Sequence, residues 1–172
     1  MCGFNLIYAY HSLAPQPSEG ELLRTRDHMR ARGPDDQGTW FSEDGRCAFA
    51  HRRLAIIDLD HRAAQPMASL CGRYTITFNG EIYNYRELRD ELLRDGLKLR
   101  TESDTQVLLE LFVKHGPTAF SRLIGMFALA IRDEREKTVW LARDTYGIKP
   151  LYYADDGWTL RAASQVKALV AS

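Results

Sequence analysis

Apolar and polar positions along the chain mark out strands near both ends and two helices between them. Phe4–Tyr10 is rich in aromatic and branched residues and stops before a polar, proline-containing stretch, which predicts a strand. Ser18 and Glu21 match a capping box, so a helix is expected to run to about Arg32, where Arg32-Gly33-Pro34-Asp35 breaks it. Strands follow around Thr39–Phe41 and Cys47–Ile57, with Glu43-Asp44-Gly45 as the turn between them. Tyr74–Phe78 has the β-branched and aromatic character of another strand, predicted to stop at Asn79-Gly80.

Asn84 and Glu87 have the spacing of a second capped helix start. Tyr85, Leu88 and Leu92 then share one face, and Gly96 is placed to end the helix. Ser103 and Gln106 repeat the device before Leu108, Leu111 and Phe112, with Gly116-Pro117 as terminator. Further strands are expected at Met126–Asp133, Thr138–Arg143, Leu151–Tyr153 and Thr159–Ala162, and a short helix from Ser164 to Val170. The pattern is that of a mixed α/β domain, and it leaves the order of the layers open.

Composition narrows the class. A chain of 172 residues with 45% hydrophobic and 27% charged residues suits one soluble domain with a sizeable core. Its 23 basic and 23 acidic residues cancel, so no long-range field draws nucleic acid or an anionic membrane. Arg24, Arg26, Arg30 and Arg32 cluster, but Glu21 and Asp27 are interleaved with them, as on a solvated helix face. The apolar run Phe4–Tyr10 is too short to span a membrane and lacks the basic flank of a signal peptide. The cysteines are Cys2, Cys47 and Cys71; an odd number without a C-x-x-C pair argues against a disulfide framework or a zinc site. A cytoplasmic location, where thiols stay reduced, is therefore expected.

Four segments carry candidate chemistry, each with a plainer reading beside it. Removal of Met1 would leave Cys2 with a free α-amine of ordinary pKa about 7.7–8.0, able to act as base toward its own thiol; alternatively Cys2 is an incidental cysteine. Asn79-Gly80, where a strand meets a helix, could aim a side-chain amide and a backbone N–H at one oxyanion, or could form a tight turn. Arg52 and Arg53, set in an apolar run, could clamp a carboxylate, or could face solvent or pair with Asp58. Ser103-Asp104-Thr105 could hold an ammonium group, or could simply cap a helix.

Together these segments resemble the class II glutamine amidotransferases, and most closely the N-terminal domain of the asparagine synthetase family. The likeness covers nearly the whole chain. It rests on Met1-Cys2-Gly3, Arg32-Gly33-Pro34-Asp35, His51 to Asp58, Gln65-Pro66-Met67, Phe78 to Tyr85, Ser103-Asp104-Thr105, Gly125-Met126-Phe127-Ala128, Leu141-Ala142-Arg143-Asp144 and Gly147 to Tyr153. The resemblance implies an α+β fold, the N-terminal-nucleophile αββα sandwich with two antiparallel sheets between helical layers. It implies Cys2 as nucleophile with its own amine as base, and Asn79 and Gly80 as the oxyanion hole. Arg53 would grip the α-carboxylate of glutamine, Glu81 and Asp104 would take its amino group, and backbone near Leu54, Ile56 and Ile57 would line the pocket.

The sequence departs from that family at Ala31, Ala63, Thr145 and Gln165, where histidine, glycine, arginine and glutamate are customary; none of these is an implied catalytic position. No ATP-pyrophosphatase motif of Ser-Gly-Gly-x-Asp-Ser type is present, so ATP and Mg are expected only in a synthetase domain absent from residues 1–172. The implied reaction, hydrolysis of glutamine to glutamate and ammonia, needs no metal or organic cofactor in this domain. Its partners would be glutamine and a synthetase domain or subunit that accepts ammonia, and a homodimer is compatible with the resemblance. Two rivals remain at this level: a catalytically silent interaction domain on the same fold, and an N-terminal-nucleophile acylase acting on another amide.

Overall fold

Two antiparallel sheets face each other, each covered on its outer side by helices. The computed structural model describes residues 2–55 and 61–170. The first sheet has the order β2 (Asp36–Phe41), β3 (Cys47–Arg53), β1 (Gly3–Ala9), β9 (Thr159–Ala163) and β8 (Tyr152–Asp155). The second has the order β4 (Met67–Ala68), β5 (Tyr74–Ile82), β6 (Gly125–Asp133) and β7 (Thr138–Arg143). Helices α1 (Glu19–Asp27) and α4 (Val166–Val170) pack on the first sheet, and α2 (Tyr85–Arg94) and α3 (Asp104–His115) on the second. This is the α+β sandwich that the resemblance implies. No helix among the described residues is long and apolar enough to cross a membrane.

Side chains on successive strand residues point to opposite faces, and the layers follow from that period of two. On β1, Phe4 and Leu6 turn inward, joining Cys47, Phe49 and Ala162 against Ala128 and Ala130 of β6. Ile7 turns outward to meet Leu22 of α1. On β6, Leu129 and Ile131 point the other way, into a larger cluster with Ile76, Phe78, Leu88, Leu92, Leu108 and Phe112 under α2 and α3. Because both faces of β6 are covered, Met126–Ile131 reads as an unbroken apolar run, whereas β5 alternates, with Thr75 and Thr77 between Tyr74, Ile76 and Phe78.

Several boundaries differ from the pattern. Helix α1 ends at Asp27 rather than near Arg32, because the chain tightens to i→i+3 bonds: Met29 N–H to Arg26 O at 2.9 Å and Arg32 N–H to Met29 O at 2.9 Å. Strand β3 ends at Arg53, and the expected continuation to Ile56 and Ile57 lies outside the described residues. Strand β5 runs through Asn79-Gly80 to Ile82, since this pair lies in the ladder opposite Ala128 and Phe127 rather than in a turn.

Asn84 precedes α2 but makes no capping bond. Its amide donates to Arg122 O and its oxygen accepts from Ile124 N, both at 3.0 Å. Ser103 does cap α3, accepting from Thr105 N at 3.0 Å, while Gln106 receives the amides of Arg100 and Thr101 instead of reaching back to Ser103. Gly96 ends α2 as expected, with φ of 88° and Leu97 N–H closing on Leu92 O at 3.1 Å. Beyond Gly116 the chain continues as an unforeseen 3₁₀ segment, Gly116–Arg122.

Candidate active site

A cavity of about 160 Å³ opens where the start of β1, the end of β3, the far half of β5 and the start of α3 converge. Cys2, Arg53 and Leu54 line one side, and Phe78, Asn79, Gly80 and Glu81 line another. Ser103, Asp104 and Thr105 close it from α3, and Ala63, Gln65, Met126 and Lys149 complete the wall. The structure thus gathers seven sequence-predicted residues into one cavity: Cys2, Arg53, Leu54, Asn79, Gly80, Glu81 and Asp104. Ile56 and Ile57 lie outside the described residues.

Cys2 is half-buried, and its Sγ accepts from Leu54 N at 3.3 Å and lies 3.6 Å from Leu54 O. Arg32 Nε donates to the Cys2 carbonyl at 3.0 Å, fixing the backbone behind the thiol. The other cysteines differ in setting. Cys47 is buried between the sheets, where desolvation pushes its thiol far up, and Cys71 is exposed on a turn.

Asn79 is only 1% exposed, yet its Nδ2 has no hydrogen-bond partner. A buried donor left unmade costs about 1–3 kcal/mol, so an orphan beside a thiol marks where an acceptor is to sit. Gly80 offers a second donor, by the logic of the ladder. Its partner Phe127 gives both backbone groups to Asp144: the amide to Oδ2 at 3.1 Å, and the carbonyl to Asp144 N at 2.8 Å. Gly80 therefore exchanges no bond with Phe127, and its N–H points off the ladder toward the cavity side. Glycine is required there for close approach, because a Cβ would overlap the Met126 carbonyl oxygen.

Asp104 accepts from Ile82 N at 3.1 Å and borders Glu81 in the cavity wall. Burial raises its pKa to about 6; backbone amides of Ile82 and Thr105 oppose the shift and the Glu81 charge adds to it. A cation in the cavity would relieve that strain on the carboxylate. Arg53 and Lys149 supply two buried basic side chains to the same walls.

His51, the histidine that opens one of the quoted segments, is not in the cavity wall. It is fully buried on β3, and its Nε2 lies 3.1 Å from Phe78 O, bridging the sheets. Burial lowers its pKa to about 4, so the ring is neutral near pH 7 and Nε2 is the nitrogen that donates.

Sequence reasoning gave no role to Gln65, Thr105, Lys149, Arg32 or Asp144. The signal was present, since each falls within a quoted motif, but only the folded ladder reveals what each one touches. Asp144 is an example. Burial works against its charge, yet the amides of Lys149, Ile148 and Phe127 outweigh it and hold the pKa below the usual range.

A sandwich of two antiparallel sheets with a cysteine at the head of its first strand is the arrangement that the resemblance to the class II glutamine amidotransferases implies. The family model described as glutamine amidotransferase domain matches residues 1–172, and the chain belongs to that family. Asparagine synthetase [glutamine-hydrolyzing] 1 of Bacillus subtilis is 41% identical over 171 residues, which is 99% of this chain and 27% of that protein. A putative asparagine synthetase [glutamine-hydrolyzing] of Mycobacterium bovis is 38% identical over 182 residues, 99% of this chain and 28% of that protein. The chain thus spans little more than a quarter of the length of these relatives. Among solved structures, the glutamine phosphoribosylpyrophosphate amidotransferase of B. subtilis shares the fold, with a TM-score of 0.83 at 22% identity, over 99% of this chain and 43% of that one.

Proposed function

We propose that this domain hydrolyses glutamine to glutamate and ammonia through a thioester on Cys2. The observation that carries the reading is the buried, unpartnered Nδ2 of Asn79 in the cavity wall that also holds the Cys2 thiol. With Met1 removed, the Cys2 α-amine takes the thiol proton and the sulfur attacks the side-chain amide carbon of glutamine. The resulting oxyanion accepts from Asn79 Nδ2 and Gly80 N–H. The protonated amine passes its proton to the departing nitrogen, the C–N bond breaks, and ammonia leaves a γ-glutamyl thioester. Water, deprotonated by the same amine, attacks the thioester; the C–S bond breaks and glutamate departs.

Substrate selection divides between charges. Arg53 takes the α-carboxylate, while Asp104 and Glu81 take the α-ammonium, which suits the desolvated setting of Asp104. Leu54 lines the pocket beside the thiol. No metal or organic cofactor enters this chemistry. The ammonia goes to an activated acceptor, most simply an aspartyl-adenylate made with ATP and Mg in a synthetase domain or subunit beyond residues 1–172. A cytosolic setting suits a thiol nucleophile.

The test is a glutaminase assay on the purified, Met1-processed protein, with Cys2→Ala as control. Glutamate release that disappears in Cys2→Ala, and a single adduct on Cys2 from a glutamine-like electrophile, are the expected results. Labelling of Cys47 or Cys71 with parallel loss of activity would overturn the assignment.

A further inference from the structure

The open edge of β5 contains a device for exposing a single amide. Residues Tyr74, Ile76, Phe78, Gly80 and Ile82 share the side of β5 that faces away from β6, because backbone groups alternate along a strand. Strand β4 covers this edge only opposite Thr75 and Ile76. Beyond it, three amides in a row would stand unpaired. Two are taken by side chains: Phe78 N donates to Gln65 Oε1 at 2.6 Å, and Ile82 N donates to Asp104 Oδ2 at 3.1 Å. Between them lies the Gly80 N–H, in the cavity wall.

Gln65 does more than cover an amide. It is buried, and its Nε2 donates to Thr105 Oγ1 at 3.3 Å, in the first turn of α3 beside Asp104. One side chain thus ties the strand carrying Asn79 and Gly80 to the helix end carrying Asp104.

We infer that Gln65 is the positioning residue for the oxyanion hole: it clamps β5 at Phe78 and tethers it to α3, so that the Gly80 N–H is held at the site of the developing charge. This rests on the glutaminase reading above. Gln65 touches neither the thiol nor the reacting carbon in this account, so its loss should act on the transition state and spare substrate binding. Displacing a catalytic donor by about 1 Å can cost on the order of 10²-fold in rate.

The decisive variant is Gln65→Met, which keeps the volume and removes both hydrogen bonds. The expected result is a kcat lower by roughly 10- to 100-fold, with KM for glutamine within about threefold of wild type. Affinity for an aldehyde analogue of glutamine, whose thiohemiacetal oxygen occupies the oxyanion position, should fall in proportion to kcat. Affinity for glutamate, which forms no tetrahedral adduct, should not move. A kcat within twofold of wild type would overturn the inference, as would kcat, KM and glutamate affinity all worsening together. Should Gln65→Met fail to fold, Thr105→Val cuts the tether alone; kcat must then drop severalfold, and an unchanged kcat overturns the role. A wild-type protein without glutaminase activity instead sinks the reading beneath it, and the positioning role with it.

Discussion

The two ends of the sandwich are built from the same strands and treat polar groups in opposite ways. At the end where β6 and β7 turn back, Arg132 is fully buried, with Nη1 donating to Lys137 O and Nη2 to Asp44 Oδ2, each at 2.7 Å. Its guanidinium lies 5.2 Å from the Tyr8 ring centre, and the Tyr8 hydroxyl donates to the same Lys137 carbonyl at 2.6 Å. Arg73 grips Asp133 through both carboxylate oxygens nearby. At the other end, Asn79 Nδ2 has no acceptor and Asp104 carries a carboxylate that burial disfavours. The first end pairs its guanidinium groups with carboxylates and carbonyls, though Arg132 Nε is left without a hydrogen bond; the second leaves Asn79 Nδ2 unpaired beside a cavity. Stability and chemistry are thereby separated along one set of strands, and mutations should sort by end.

The largest expected effect lies at the open end. Acetylating only the Cys2 amine of the processed protein removes the base without adding a residue, and should lower kcat by about 10²–10⁴-fold. A kcat within a few-fold of the free-amine form, with His51→Ala abolishing turnover instead, would reverse the assignment of the base. Next, Asn79→Ala should lower kcat by about 10²–10³-fold while KM changes little, as for the loss of one oxyanion donor. Steady-state kinetics showing mainly a KM effect would move Asn79 from transition state to substrate binding.

Asp104→Asn should raise KM roughly ten- to a hundredfold, the worth of a hydrogen bond to a charged group. The pH dependence sharpens this prediction. Burial holds Asp104 near 6, above the ordinary aspartate value, so between those values the folded protein keeps a proton that the unfolded chain has lost. That contribution to stability is present at low pH and is lost as pH rises through about 6. Glutamine binding has the opposite sign, because the ammonium needs the ionised form: KM should rise as pH falls below about 6, by up to about tenfold per pH unit. In Asp104→Asn that slope should vanish.

The smallest effect belongs to the closed end. Arg132→Met should lower stability by about 1–3 kcal/mol, the cost of stranded polar partners, and Tm by about 2–4 °C for each of those kcal/mol. It should leave KM and kcat for glutamine unchanged. A kinetic defect there would show that the two ends are coupled.

Much of this contrast was legible before folding, but unevenly. The strands β6, β7 and β9 were readable from their apolar and branched runs, and the candidate set around Cys2 and Asn79 from the resemblance of whole segments to the amidotransferase family. The fate of Asn79-Gly80 was misread as a strand end, because a local Asn-Gly signal favours a turn; the ladder to Ala128 and Phe127 overrides it. Asn84 was misread as a cap for a similar reason, since its side chain finds Arg122 and Ile124, about forty positions away. Such bonds depend on which distant backbone arrives beside a side chain. Gln65 was invisible as a clamp for that reason: its partners, Phe78 and Thr105, come from different elements.

The tight seam between β5 and β6 also bears on how new specificities could arise. A Cβ on Gly80 would strike the Met126 carbonyl oxygen, and one on Gly125 would strike that of Glu81. Neither position can explore larger residues without parting the strands, so this wall of the pocket is closed to adaptive change. Ala63 lines the same space from another side without joining two backbones, whereas Thr105 is held by its bond to Gln65 and Ser103 by its cap on α3. Selection for a different amide would therefore leave its record away from the β5–β6 seam, while the seam stays as it is.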